Sequence, residues 1–86
     1  MTLEQLRIFV GVAEREHLTK AAVALNLSAS AVSSAIRALE ERYEAALFHR
    51  VGRGIVLTEA ARLLLPQARA TLAAAAAAER ALSDLG

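Results

Sequence analysis

The stretch from Leu27 to Tyr43, LSASAVSSAIRALEERY, constrains the fold of this chain more than any other. Ser28 is suited to cap the start of a helix, because its hydroxyl can accept a backbone N–H that the first turn leaves unpaired. Apolar residues then recur after four, three and four positions, at Val32, Ile36, Leu39 and Tyr43. This spacing predicts one helix with a single buried stripe.

The other face of this predicted helix is short and polar over its first turns. Its members are Ala29, Ser30, Ser33, Ser34 and Arg37. Because they include one cation and no carboxylate, the helix can approach a grooved partner closely. The major groove of DNA admits one helix and presents donors and acceptors that serine and arginine can bind. The pattern therefore favours double-stranded DNA as the partner.

Charge is unevenly distributed along the 86 residues, although the formal net charge is only +1. Two stretches, 17–39 and 45–58, contain no Asp or Glu. Their cations are Lys20, Arg37, Arg50 and Arg53. Phosphates repel carboxylates and attract cations, so a DNA-binding face should be depleted in acids in this way. Short acid-free runs also arise by chance, and that explanation stays open at this point.

Several functional classes lack support in the sequence. There is no cysteine, and no apolar run approaches the roughly 20 residues that span a bilayer. The N-terminus has neither the cationic flank nor the cleavage site of a signal peptide. We therefore expect a soluble, cytoplasmic protein with no membrane partner. The two histidines, His17 and His49, lie on different predicted elements, so we expect neither catalysis nor a metal site.

The residues before Leu27 predict two further helices. The first begins at the capping-box sequence T-L-E-Q, with Thr2 as its cap, and ends near Arg15. Thr19 is predicted to cap a brief second helix from Lys20 to about Leu25. A short helix and a longer one joined by a turn of three or four residues is the helix-turn-helix pattern.

Two short β-prone runs follow, at residues 49–51 and 55–57, on either side of Gly52-Arg53-Gly54. Such runs around a glycine-containing tip predict a small hairpin, or wing. Glycine supplies the backbone conformation that a tight turn requires. Arg53 is then held at the tip, where its own domain offers no obvious partner.

A long helix is predicted to start at the cap Thr58 and to run from Glu59 to about Leu85, or roughly 40 Å. Pro66 lies inside it and is expected to bend it. An apolar stripe along this helix is predicted to form a dimer interface with a second chain. Its members are Leu64, Ala68, Leu72, Ala75, Ala78, Leu82 and Leu85. The alternative is a helix folded back on its own domain.

The segments LEQLRIFVGVAE, LTKAAVALNLSASAVSSAIRALEE, LFHR and LTEA, in this order and spacing, resemble the N-terminal domain of LysR-type transcriptional regulators. The resemblance implies a mainly α winged helix-turn-helix at residues 1–57, with a short β-hairpin wing, and a linker helix at 58–86 that pairs two subunits. Similar proteins carry a C-terminal domain that binds a small co-inducer. We therefore expect a DNA-binding fragment that forms a homodimer on an inverted repeat and holds no cofactor itself.

The resemblance also implies roles for individual residues. The residues implied to face the major groove are Ser30, Ala31, Ser33 and Ser34, with Ala29 as an apolar contact. Those implied to hold phosphates are Thr19, Lys20, Ser28, Arg37 and Arg50. Arg53 is implied to enter the minor groove from the wing.

The chain departs from the family pattern at several positions. Ala29-Ser30 stands where Gln-Pro is usual, and Ala29 cannot form a hydrogen bond to a base. Glu16, Glu44 and Ala61 stand where glycine is common, so Glu44 is expected to adopt a left-handed conformation. We hypothesise that direct base readout is weak and that Arg53 and DNA shape supply much of the specificity.

One rival function remains, a helix-turn-helix module that binds another protein. The arginine-tipped wing in an acid-free stretch argues against it. Added salt distinguishes the two, because phosphate contacts weaken steeply with salt whereas a mainly apolar interface does not. Membrane-surface binding by the long helix lacks the lysine-rich face and bulky anchors that it requires.

Overall fold

The computed structural model describes residues 1–86 and contains four α-helices and one antiparallel two-stranded sheet. The elements are α1 (Leu3–Arg15), α2 (Leu18–Leu25), α3 (Ala29–Tyr43), β1 (Phe48–Val51), β2 (Gly54–Leu57) and α4 (Glu59–Ser83). The predicted fold class, a mainly α winged helix-turn-helix followed by a long helix, is confirmed.

Three of the four helices begin at the hydroxyl caps that the sequence predicts. At α1 the Thr2 hydroxyl accepts the Gln5 N–H at 3.0 Å, and the Gln5 side chain accepts the Thr2 N–H at 2.9 Å. Ser28 accepts the Ala31 N–H at 3.1 Å at the start of α3. Thr58 caps α4 in the same way. Each bond satisfies a donor that the first helical turn leaves free.

The predicted cap of α2 is wrong. Thr19 lies inside the helix and is exposed, and the N-cap is His17, whose Nδ1 accepts the Lys20 N–H at 3.1 Å. The end of α1 explains the shift. Glu16 already occupies the left-handed C-cap of α1, so His17 is the first residue in extended conformation, and the half-buried Leu18 begins the helix against the core.

Three turns depend on non-glycine residues in the left-handed region. Their φ angles are 50° at Glu16, 59° at Asn26 and 51° at Glu44. Each residue ends a helix and donates its backbone N–H to a carbonyl of the last turn. Asparagine adopts this conformation with little strain, whereas a glutamate does so at a cost in free energy. The left-handed conformation predicted for Glu44 is confirmed.

The hydrophobic core is centred on α1. Phe9 and Val12 are completely buried, and the Phe9 ring packs against Phe48 of β1 with ring centroids 5.6 Å apart. The stripe predicted on α3 is buried at Val32, Ile36 and Leu39 but not at its end. The last predicted member, Tyr43, is 51% exposed, because the final turn of α3 borders an open apolar depression instead of the core.

The wing is a tight hairpin. The strands pair from Phe48 with Leu57 to Val51 with Gly54, which leaves a two-residue turn of Gly52 and Arg53. Gly52 has a φ of 59°, a conformation in which glycine is favoured. The hairpin is anchored by Ile55, which is buried in the core. The predicted wing is therefore confirmed, and β1 begins one residue earlier than predicted.

The helix α4 has 25 residues and lies against α1 over its first half. Ala61 and Ala68 are buried in the common core, whereas every residue from 77 onward is exposed. The bend at Pro66 and the division into residues 1–57 and 58–86 stay predictions. No single helix is long and apolar enough to cross a membrane; α2 and α3 together reach that length and composition, but they meet at an angle of 108°.

Candidate nucleic-acid interface

The N-terminal half of α3 presents a continuous exposed face, because its large apolar side chains, Val32 and Ile36, are buried in the core on the opposite side. The exposed residues on this face are Ala29, Ser30, Ala31, Ser34 and Arg37, and Ser33 is half-buried beside them. Their side chains are short except for the arginine. A helix with such a face can lie deeply in a groove of matching width.

The serines at the start of α3 differ in what they can offer a ligand. Ser28 uses its oxygen to cap the helix, and its Oγ lies 3.2 Å from the Oγ of Ser30. The side-chain hydroxyls of Ser33 and Ser34 form no hydrogen bond within the chain. The hydroxyls of Ser33 and Ser34 are therefore free to bind a partner. The Ser28 oxygen already accepts the Ala31 N–H, so this side chain can offer a partner only its O–H donor.

A cleft of about 130 Å³ joins α2, α3 and the wing. Its lining brings together three of the predicted site residues, Ser33, Arg37 and Arg50. Glu40 also lines it, and its Oε2 accepts the Leu47 N–H at 2.8 Å, a bond that ties the end of α3 to the chain entering β1. The sequence analysis did not single out Glu40, because its partner lies seven residues away in an irregular segment.

The wing is attached to the turn that precedes α2. The Glu16 carbonyl oxygen accepts the Ile55 N–H at 3.1 Å, so the turn between α1 and α2 supports β2 directly. Thr19 and Lys20, predicted to hold phosphates, are exposed on the first turn of α2 next to this junction. The sequence did not predict His17 as the cap that orients this turn. Its position in the short link between two predicted helices was the only indication of that role.

The cations of this surface form no ion pair with a carboxylate. The two ion pairs of the protein join Arg7 to Glu4 and Arg69 to Glu14, both away from the cleft. The remaining cations at the candidate interface are Lys20, Arg37, Arg50 and Arg53, and all four are exposed. Arg53 lies at the tip of the wing, beside a glycine with open space around it.

The residues of the predicted dimer stripe are divided between two environments. Leu64, Leu72 and Ala75 are half-buried, and Ala78 and Leu82 are exposed on the part of α4 that extends beyond the core. Leu85 is also exposed but lies after α4, which ends at Ser83 and not near Leu85 as predicted. Ala68 is only 1% exposed, because it packs inside its own chain where α4 lies on α1. Its side chain is therefore not available to a second chain in this conformation.

The fold and this surface define the chain as a winged helix-turn-helix domain of the kind found in DNA-binding regulators. The model of bacterial regulatory helix-turn-helix proteins of the lysR family matches residues 3–62, and the chain belongs to this family. A relative from Azotobacter vinelandii, an uncharacterized HTH-type transcriptional regulator, is 42% identical over 85 residues. This match covers 99% of the chain but only 59% of that relative. Matches to two longer regulators cover 23% and 25% of their length.

Two solved structures of DNA complexes share the fold over the whole chain. The CbnR DNA-binding domain in complex with DNA has a TM-score of 0.87 and 32% identity, and each chain is covered completely. The BenM DNA-binding domain with benA site 1 DNA has a TM-score of 0.91 and 28% identity, again with complete coverage of both.

Proposed function

We propose that this chain is the DNA-binding part of a transcriptional regulator that binds double-stranded DNA sequence-selectively as a homodimer. The observation that carries the proposal is the cleft, where the short face of α3, the start of α2 and the wing converge with cations that pair with no carboxylate. The complete structural match to two domains in complex with DNA supports it.

In this proposal α3 lies in the major groove. Ser30, Ser33 and Ser34 offer hydroxyls to base edges, while Ala29 and Ala31 offer methyl contacts, for example to thymine. The residues that hold phosphates are Thr19, Lys20, Ser28, Arg37 and Arg50. These phosphate contacts orient the domain on the duplex but carry little sequence information.

Arg53 is proposed to enter the minor groove next to the site of α3. A narrow minor groove has an enhanced negative potential that attracts an inserted arginine, so the wing reads DNA shape. Because Ala29 and Ala31 cannot form hydrogen bonds with their side chains, this contribution outweighs that of any single serine on α3.

Dimerisation is proposed to use the exposed end of α4 and the residues that follow it, where Ala78, Leu82 and Leu85 have no cover within the chain. A two-fold arrangement of the domains requires an inverted-repeat site. We further propose that the full protein works in the cytoplasm, that this part needs no cofactor and catalyses no reaction, and that a small co-inducer acts through a separate domain.

The proposal is tested by selecting duplexes that bind the chain from a random pool, followed by a salt titration. The three phosphate-holding cations of each subunit, Lys20, Arg37 and Arg50, mean six neutralised phosphates per dimer, so log K against log salt concentration should have a slope of about −5. An enriched inverted repeat with such a slope supports the proposal. Failure to retain any duplex at low salt contradicts it and favours the protein-interaction module.

The role of Arg53 has its own test. Arg53→Ala should reduce the ratio of affinities for the selected and a scrambled duplex more than Ser33→Ala does, because the wing contact supplies more of the selectivity. The matched control is Arg62→Ala, which removes another exposed cation, on α4 and outside the residues proposed to bind DNA or the second subunit. A larger loss of selectivity for Ser33→Ala contradicts the proposed role of the wing.

A further inference from the structure

The cap of α2 differs chemically from the other three caps of this protein. Hydroxyl oxygens cap α1, α3 and α4, whereas an imidazole nitrogen, Nδ1 of His17, caps α2. A hydroxyl accepts a hydrogen bond at any pH of interest. Histidine is the side chain whose charge changes between about pH 5 and 8, and its protonated form has no acceptor nitrogen. The cap of α2 therefore exists only while His17 is neutral.

Protonation of His17 acts on the first turn of α2 in two ways. It removes the acceptor of the Lys20 N–H, which lies 3.1 Å from Nδ1, and so leaves that donor without its partner. It also places a positive charge at the positive end of the helix dipole, which is unfavourable. Since α2 has only eight residues, the loss of its first turn affects a large part of the helix.

The affected turn lies at the centre of the candidate interface. The donor in the cap bond is the backbone of Lys20, and Thr19 precedes it; both side chains are proposed to hold phosphates. On the other side of His17, the Glu16 carbonyl accepts the Ile55 N–H and supports the wing. His17 thus lies between Glu16, which supports the wing, and the first turn of α2, which presents Thr19 and Lys20.

The charged surroundings of His17 offer no ion pair to hold its protonated form in place. The charged residues of the neighbouring elements are Glu4, Arg7, Glu14 and Arg15 on α1 with Glu16 after it, Lys20 on α2, Arg37, Glu40, Glu41 and Arg42 on α3, and Arg50 on β1. Glu40 accepts the Leu47 N–H, and no carboxylate lies within ion-pair distance of the imidazole.

We propose that His17 is a positioning residue that makes DNA binding depend on pH. The neutral imidazole holds the first turn of α2 in the geometry that presents Thr19 and Lys20 to phosphates, and protonation releases this turn. DNA affinity therefore falls when the pH is low enough to protonate this imidazole and break its cap bond to the Lys20 N–H. This inference rests on the proposed function.

The test compares the binding of one selected duplex at pH 5.5, 6.5 and 7.5, at constant ionic strength, by four forms of the protein. Wild type should lose affinity on acidification by about fivefold per subunit, the factor that corresponds to one N-cap bond, which is about 25-fold for the homodimer. His17→Asn keeps a cap acceptor that does not titrate, so it should match wild type at pH 7.5 and stay constant. His17→Ala should be weaker by a similar factor throughout, with a flat profile.

His49→Gln is the matched control, because it removes the other histidine of the chain, which is exposed on the wing and outside the proposed contacts. It should follow the wild-type pH profile. If His17→Ala does not fold, as judged by its helical circular dichroism, wild type and His17→Asn still decide the question.

Two outcomes overturn the inference while leaving the proposed function intact. A pH profile of His17→Asn that parallels wild type shows that the cap does not control binding. A gain of affinity on acidification that His17→Asn abolishes shows that the imidazolium binds phosphate itself. If wild type binds no duplex even at pH 7.5 and low salt, the proposed function fails, and this inference fails with it.

Discussion

Replacing Glu44 with glycine should stabilise this protein, although it removes a side chain. Glu44 ends α3 with φ 51° and ψ 43°, in the left-handed region. A side chain there places Cβ too close to the following carbonyl oxygen, which costs about 1–2 kcal/mol relative to glycine. Its backbone N–H bonds to the Glu40 carbonyl whatever the side chain, so the substitution keeps that bond.

The net gain is smaller than the strain that is relieved. Glycine gives the unfolded chain more conformational freedom, which offsets about 0.4–1 kcal/mol. We therefore expect the free energy of unfolding to rise by about 0.5–1 kcal/mol. For a domain of this size, 1 kcal/mol corresponds to an increase in melting temperature of about 4–8 °C.

Glu41→Gly is the matched control, because it removes the same exposed side chain and charge from the last turns of α3. Glu41 lies inside the helix, where glycine costs about 1 kcal/mol. Urea unfolding of both variants at one protein concentration should give midpoints on opposite sides of wild type. If Glu44→Gly is no more stable than wild type, the left-handed conformation is not a source of strain.

Two further predictions concern stability. Glu40→Ala leaves the Leu47 N–H without its partner, so it should lower the free energy of unfolding by about 1–3 kcal/mol. The control Glu41→Ala should change it by less than about 0.5 kcal/mol, and urea unfolding measures both values. The hydrogen bond from Arg7 lowers the pKa of Glu4 below its usual 4.5, so this pair stabilises the fold above about pH 4.5 and its contribution is lost as the pH falls. Glu4→Gln should therefore lower the melting temperature more at pH 7 than at about pH 3, and an equal shift at both values contradicts the assignment.

The elements that the sequence predicts correctly are fixed by interactions between near neighbours along the chain. The caps Thr2, Ser28 and Thr58 each bond a backbone N–H three residues ahead, so the local sequence carries the whole signal. The hairpin follows in the same way from two β-prone runs around Gly52. Family resemblance added an expectation that spacing alone could not supply, the assignment of the third helix and the wing to the two grooves, and this assignment stays a prediction.

The two wrong predictions, the cap at Thr19 and the burial of Tyr43, depend on where a neighbouring element ends or packs. Thr19 has the chemistry of a cap, but α1 ends at Glu16, so α2 begins at Leu18 and its cap falls to His17. Tyr43 continues the spacing of a buried stripe, yet no element covers the last turn of α3. Neither result is visible in the periodicity of one helix.

The amino-acid sequence by itself determined the order and type of the elements, because caps, turns and apolar spacing act within a few residues along the chain. Only the tertiary structure decided which residues share a surface. It buried Ala68 under α1, brought Arg37 and Arg50 to one cleft, and connected Glu40 to Leu47. The physical reason is that burial and side-chain contact depend on how separate elements pack. The helix α4 is rich in alanine on every side, so the face that packs on α1 is chosen by the fit of the whole core.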